Sequence, residues 1–460
     1  MTTVVTAERG AGKQSTPTRA GTVTPLRLAI DIGFAASAYL TGTGKFGILR
    51  VTDELVRELG ASADAGVTAV GLSHLSGEPL FDSFVTVLGA RKAFPGIAAE
   101  HCVRSRFGLW GLYERLMPGY AVRTLTPGQA ASPAARAAVK LLKQGDCVPD
   151  FSPERFDLFV SLLSALPSRA VTGDLPRVLN VYDLICVRHP EWCTTEQVDW
   201  QRNILGSIDA KRDWLVCNSE YVRADVCDYL KMDPERVAVV PLGVSADFRP
   251  VGDASAMAVV RAKYGVPADV PYLLSLAALQ PRKNLAHLIR CFTRLLSEEP
   301  SLRETRLVLA GERGWKFDEI INTSNEGREF SDRVVFTGYV ADEDLSALYS
   351  GAHGFVFPSL SEGFGLPPLE AMACGTPVIA ARATSLPEVV TDGAGILVDP
   401  HDGDALCEAM KRLLEDEALR EELSRGGREW SSAFTWARTA EEMLAFGRRV
   451  VAASGRERRA

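Results

Sequence analysis

The run from Phe357 to Ala381, FPSLSEGFGLPPLEAMACGTPVIAA, admits few folds. It continues an apolar segment, Gly354 to Phe357, that stops at Pro358 and reads as a buried strand. Gly363-Phe364-Gly365 neither extends a strand nor opens a rigid helix. Pro367 and Pro368 suit a first helical turn, where a missing N–H costs nothing. Leu369 to Cys374 is helix-forming sequence, and Gly375 with Pro377 stops it. Val378 to Ala381 is again a buried strand. Strand, glycine loop, short helix and strand make the unit of a parallel α/β sheet.

Two carboxylates belong to this unit, Glu362 and Glu370, with seven residues between them. The glycines and prolines break any continuous helix, so Glu362 is expected in the loop and Glu370 in the first helical turn. Between them the N–H groups of the loop and helix start point outward with positive partial charge, a ready phosphate site. A phosphate held there, with a carboxylate on each side to accept from hydroxyls, describes a sugar nucleotide. The plainer alternative is a helix start with two solvated glutamates, since helix starts attract acidic residues.

Glu362-Gly-Phe-Gly-Leu-Pro-Pro-Leu-Glu370-Ala-Met-Ala-Cys-Gly-Thr-Pro-Val closely resembles the Glu-x7-Glu signature of the retaining glycosyltransferases of family 4. The resemblance implies a GT-B fold. Two Rossmann-like domains would face each other across a cleft through their parallel sheets, and a C-terminal helix would cross back to the first domain. The expected boundaries are an acceptor domain over 25–248, a sugar-nucleotide domain over 249–432 and the crossover helix over 433–455. The resemblance covers nearly everything after about Val178 and is weaker before it.

With 460 residues there is room for two domains. A net charge of −7 gives no sign of a nucleic-acid binder. Nine scattered cysteines, none spaced Cys-x2-Cys, fit reduced thiols in the cytoplasm and argue against a disulfide framework or zinc site. No stretch approaches the apolar length of a membrane span. Residues 1–24 lack the apolar region of a secretory signal and read as a disordered tail.

Leu26 to Ile32 is the first expected strand, and Gly33 is expected to begin a loop running to Gly47. Gly42, Gly44 and Gly47 loosely match a family loop that closes over the cleft; a plain connector is the alternative. Ile48 to Leu59 has the spacing of an amphipathic helix, and Val67 to Leu72 is the second strand. From Arg91 to Arg123 six basic residues face two acidic ones, a net of +4. Val103, Phe107, Trp110, Tyr113 and Met117 recur there at helical spacing. Such a helix packs an aromatic face on the core, grips an acceptor, or lies weakly on an anionic membrane surface at the inner face. Ala134 to Leu142 reads as a short helix.

Val181-Tyr182-Asp183-Leu184-Ile185 ends a strand where ligands of open parallel sheets collect. The family usually carries His-Asp-Leu-Ile here, with the histidine facing the sugar. This chain keeps Asp183 but has Tyr182, which leaves Tyr182 or His189 to take that role. In the second domain Tyr272 to Ala277 is a strand, followed by Gln280-Pro-Arg282-Lys283-Asn284 and a helix. Two cations at a strand end suit a diphosphate, Lys as a point charge and Arg as a planar fork; an exposed surface pair is the alternative. The resemblance assigns Lys283 to the diphosphate. Ala277-Ala278 replaces a Gly-Arg pair of the family, so Arg282 is taken to supply the second charge. Gly338-Tyr339 resembles the stretch that frames the base.

The resemblance therefore implies a metal-independent hexosyltransferase with a nucleoside-diphosphate sugar as co-substrate and no other cofactor. Lys283, Arg282 and the N–H groups of Gly363, Phe364, Gly365 and Leu366 would stabilise the leaving diphosphate. Glu362 would hold sugar hydroxyls and Glu370 ribose hydroxyls. Pro-Arg-Lys-Asn and Ser-Leu-Pro-Glu resemble mannosyl- and rhamnosyl-transferring members and favour GDP-mannose. The acceptor stays open among a glycan, a lipid-linked sugar and a natural product. A GT-B sugar-nucleotide epimerase and a non-catalytic binding protein are the remaining alternatives.

Overall fold

A computed structural model describes residues 24–41, 47–72, 79–106, 108, 110–115, 147–326 and 329–455. The first domain is built on a parallel sheet of β1 (Leu26–Asp31), β2 (Ala65–Val70), β3 (Ala98–Ala99), β6 (Leu158–Ser161), β7 (Arg177–Val181), β8 (Trp214–Cys217) and β9 (Val237–Val239). Its spatial order is β3-β2-β1-β6-β7-β8-β9. Between β3 and β6 a small antiparallel pair intervenes, β4 (Val103–Ser105) with β5 (Cys147–Pro149). The second domain's sheet holds β10 (Tyr272–Leu276), β11 (Arg306–Ala310), β12 (Val334–Gly338), β13 (Gly354–Phe357), β14 (Val378–Ala381) and β15 (Ile396–Val398), in the order β12-β11-β10-β13-β14-β15. The strands are continuous apolar runs because helices cover both faces of each sheet. All residues of β6, β7, β8, β13 and β14 are buried.

In both sheets the chain winds outward from a central strand, then returns to its other side. The reversals fall between β1 and β6 and between β10 and β13. A crevice opens at the carboxyl ends of such a pair. Gln280 to Lys283 leaves β10 and Ser359 to Glu362 leaves β13, so both segments line the second domain's crevice.

The last helix, Trp436–Ala453, belongs to the first domain by its packing. Thr435 caps it by accepting from Arg438 N. Ala440, Met443, Leu444, Phe446, Val450 and Val451 join Leu26, Leu28, Leu158 and Trp214 in one apolar cluster. The strand that leaves the first domain passes beneath its start: Val244 N donates to Phe434 O at 3.0 Å, and Thr439 Oγ1 donates to Pro241 O at 2.8 Å.

Two sequence expectations fail here. Gly33 does not begin a loop; Gly33–Thr41 is a helix. Asp31 Oδ1 accepts from Gly33 N at 2.9 Å, and the alanine-rich run that follows has high helix propensity. Gly42 and Gly44 lie outside the described residues, and Gly47 opens the helix Gly47–Ala61. No single amphipathic helix runs through Val103 to Met117 either. Val103 lies in β4, whose pairing partner is more than forty residues along the chain and so leaves no local periodicity. Val103 and Tyr113 are both buried, and Trp110 stacks on Phe84 at 5.4 Å, which fits the core-packing alternative. Phe107, Met117, Arg123 and the expected helix 134–142 lie outside the described residues.

A Cβ added at Gly243 would lie 2.3 Å from Trp436 N and 2.6 Å from Thr435 C, and this backbone link at the start of the last helix leaves it no room. Gly243→Ala is expected to destabilise the chain by about 1–3 kcal/mol through this overpacking. Thermal unfolding checks it: a lower midpoint is predicted, and an unchanged one contradicts the crossing described.

Candidate functional site

Glu362 terminates the loop after β13 and is buried, at 9% exposure. Lys283 Nζ donates to its Oε1 at 2.5 Å, and Arg282 NH1 pairs with its Oε2 at 2.9 Å. Ser359 Oγ adds a third donor at 2.6 Å. Burial alone would push the Glu362 carboxyl up; the Arg282 and Lys283 charges override it and hold it at about 2. Burial and repulsion from Arg282 pull Lys283 down to about 8, against the attraction of Glu362. Two cations thus share one carboxylate at the crevice, and Lys283 Nζ also lies over the Phe357 ring at 4.9 Å.

The glycines after Glu362 have distinct reasons. A Cβ on Gly363 would fall 1.8 Å from Tyr182 O of the first domain, so only glycine allows the two domains to meet there. Gly365 has φ +120°, a region that favours glycine, and turns the chain into the helix Leu366–Ala373. Phe364 packs edge-on against Phe434 at 6.2 Å, and Leu366 packs on the second domain's core. Their side chains face the protein interior, which leaves backbone N–H groups as the loop's contribution to a ligand.

Glu370 lies in this helix, 3% exposed. Arg50 NH1 donates to its Oε1 at 2.6 Å, and Tyr349 OH donates to its Oε2 at 3.1 Å. Burial pushes the Glu370 carboxyl up, and the Arg50 charge opposes this. Arg50 comes from the first domain and also pairs with Asp342 at 2.8 Å, so it bridges the cleft. Gly338, at φ +68°, ends β12 on the same sheet edge, and its carbonyl accepts from Gly311 N; Tyr339 beside it is 52% exposed.

Across the cleft, a cavity of about 250 Å³ is lined by Asp183, Leu184, Ile185, Arg188, His189, Tyr221, Val222, Asp225, Ser361 and Glu362. Asp183 Oδ1 accepts from Ile185 N at 2.9 Å and from Gln201 Nε2 at 3.2 Å. His189 lines this cavity. Tyr182 does not: its hydroxyl meets Asn180 Nδ2 at 3.4 Å and its ring packs against the second domain's core. Burial pushes its phenol above the ordinary range. Of the two residues left open for the family histidine's place, His189 is the one that lines the cavity, while the Tyr182 ring is drawn into the apolar interdomain contact.

The domains are further joined by polar contacts. Glu388 accepts from Glu220 N at 2.7 Å and Tyr221 N at 2.8 Å, satisfying the free N–H groups of helix Glu220–Leu230 from the other domain. Ser219 Oγ donates to Gly363 O at 2.8 Å. Sequence reasoning missed Arg50, Tyr349 and Ser359; Glu388 was read in a Ser-Leu-Pro-Glu stretch resembling a helix start near the donor, but its contacts with Glu220 and Tyr221 across the cleft were not. Arg50 gave no usable signal, because Glu54 at i+4 is its obvious local partner while Glu370 is 320 residues away.

Residues 258–430 match the family glycosyl transferases group 1. The chain is 34% identical over 260 residues to O-antigen chain mannosyltransferase B of Escherichia coli, covering 56% of this chain and 66% of that protein. It is 34% identical over 291 residues to D-inositol 3-phosphate glycosyltransferase of Salinispora arenicola, covering 61% of this chain and 65% of that protein. The chain thus spans just under two thirds of the length of each relative. Its fold is that of sucrose-phosphate synthase from Thermosynechococcus elongatus, with TM-score 0.60, 22% identity, and coverage of 93% of this chain and 100% of that one. The architecture is GT-B.

Removing Arg50 leaves the Glu370 carboxylate buried with Tyr349 alone, which raises its folded pKa further above the unfolded value. A carboxyl raised on folding favours the native state at low pH, and that advantage is lost as pH climbs from its unfolded value toward the folded one. Arg50→Ala is therefore expected to cost about 3 kcal/mol at pH 8 and much less at pH 5. Denaturant unfolding at both values checks the sign; an equal loss at each contradicts the pairing.

Proposed function

We propose that this chain, whose second domain is a group 1 glycosyl transferase domain, is a retaining hexosyltransferase that uses a nucleoside-diphosphate sugar, GDP-mannose first, without a metal ion. The observation that carries the reading is the convergence of Lys283 and Arg282 on the Glu362 carboxylate at the β10–β13 crevice, with Asp183 of the first domain the next charge to act on both. A diphosphate entering beside them draws both cations from Glu362 and frees its carboxylate for sugar hydroxyls. As the glycosidic bond breaks, charge grows on the outer phosphate oxygen. Lys283, Arg282 and the N–H groups of 363–366 meet it already oriented, which is the most effective form of electrostatic catalysis.

The acceptor hydroxyl attacks from the face the diphosphate leaves, and the departing phosphate oxygen takes its proton. Configuration at the anomeric carbon is retained. Glu370 accepts from the ribose hydroxyls after Arg50 gives way, so donor entry and cleft geometry are coupled. Asp183 and His189 border the space left for the sugar and acceptor. The name of the Escherichia coli relative, an O-antigen chain mannosyltransferase, supports a mannosyl donor and a glycan acceptor, whereas the name of the Salinispora arenicola relative points to an inositol phosphate acceptor.

Two measurements test this. Glu362→Gln, which keeps the volume, is expected to lower kcat by roughly 100-fold or more while circular dichroism stays native; unchanged turnover contradicts the role of Glu362. The Lys283 ammonium, held at about 8, loses its proton as pH rises above that value. Nucleoside-diphosphate affinity should therefore weaken between pH 7 and pH 9.5 in the wild type and stay flat in Lys283→Arg, measured by calorimetric titration. A flat wild-type profile contradicts the phosphate assignment.

A further inference from the structure

Cys186 and Cys193 bring their sulfurs to 2.7 Å. Both are free, half-buried thiols in the segment that borders the interdomain cavity. Cys186 lies in the one-turn helix Ile185–Arg188, and Cys193 follows the turn Pro190–Trp192. A disulfide needs about 2.0 Å between sulfurs, so closure asks for a movement of well under an ångström. The other contacts of this loop already hold the two cysteines together. Arg188 pairs with Asp225 at 2.5 Å and Asp228 at 2.9 Å, and the His189 ring stacks on Trp192 at 4.1 Å.

The same loop is a strut between the domains. Glu191 O accepts from Lys316 Nζ at 2.6 Å, and Trp192 O accepts from Trp315 Nε1. Its electrostatic reach extends to Arg282, whose charge acts on Cys186 and is acted on by Cys193. We propose that Cys186 and Cys193 are a redox modification site, closing to a reversible disulfide that staples the 185–193 loop and slows transfer.

The oxidant is a low-molecular-weight disulfide, RSSR. The Cys193 thiolate attacks one of its sulfurs, and the first RS⁻ leaves and takes up the Cys193 proton as RSH. Cys186 then attacks the Cys193 sulfur of the mixed disulfide, losing its own proton, and the second RSH departs. The two cysteines give up two electrons and two protons, and RSSR becomes two thiols. The balance is the same whichever of the two thiols attacks first. Once closed, the ring stiffens the carbonyls that hold Trp315 and Lys316. Domain separation then becomes harder, and a step that needs opening, such as product release, is slowed.

The effect on transfer rests on the proposed activity; the disulfide does not, and the test separates them. The full chain is incubated with hydroxyethyl disulfide, digested with trypsin without reduction, and mapped by mass spectrometry. Cleavage after Arg188 puts the two cysteines on separate peptides. Expected is a cross-linked pair two hydrogens lighter than its parts, a rise in thermal midpoint, and a several-fold drop in kcat with little change in donor KM. All three should reverse with dithiothreitol and be absent in Cys193→Ser. Unlinked peptides while other thiols react overturn the site. A linked pair with neither midpoint nor kcat altered overturns the staple. If no donor supports turnover in the reduced protein, the proposed activity fails alone, and linkage with the midpoint shift decides the inference.

Discussion

A carboxylate buried at the crevice between β10 and β13 is tolerable only because two cations and a hydroxyl converge on it. Taking one ion out of water costs several kcal/mol. Glu362 recovers that from Lys283, Arg282 and Ser359 together. The contact links the segment after β10 to the segment after β13, so the strand order that opens the crevice also supplies the groups that fill it. It gathers two cations where a polyanion fits, and the same pairing that stabilises the fold is the one a ligand must rearrange.

The two domains are joined in two physically different ways. The crossover helix Trp436–Ala453 is apolar where it meets the first sheet, and this contact is built to persist. Around the cleft, beside the apolar contact of Tyr182, the joints are mostly polar: Arg50 with Glu370 and Asp342, Glu388 with the N–H groups of 220 and 221, Lys316 and Trp315 with the carbonyls of 191 and 192. Polar joints of this kind exchange readily with water or ligand hydroxyls, as hinge closure requires. At Gly363, pressed against Tyr182 O, backbone of the two domains touches so closely that no side chain fits.

How much of this was legible in the sequence follows from the range of the interactions. β13 and β14 were readable to the residue, since a fully buried parallel strand is a short continuous apolar run bounded by breakers. Glu362, Arg282 and Lys283 were readable because they follow strand ends, whereas Glu370, expected in the first turn of its helix, lies in the second because the helix already begins at Leu366. Their mutual contacts were not readable, nor was Arg50, whose partner lies at a sequence distance that no local pattern encodes. The helix from Gly33 was obscured by the weight given to one glycine. β4 was obscured because aromatic residues at helical spacing outvoted a distant strand pairing. Tyr182 and His189 could not be told apart, because which of them borders the cavity depends on how the second domain packs on the first.

The most direct test of the central claim is a thermal-shift panel of GDP, UDP, ADP and TDP on the wild type and Lys283→Ala. A ligand that binds only the folded chain stabilises it by about 2.7 kcal/mol at a hundred times its dissociation constant. The account predicts a raised midpoint for the wild type, largest with GDP, and its loss in Lys283→Ala. No rise with any of the four, or an equal rise in both proteins, would contradict a diphosphate site built on Lys283 and Arg282.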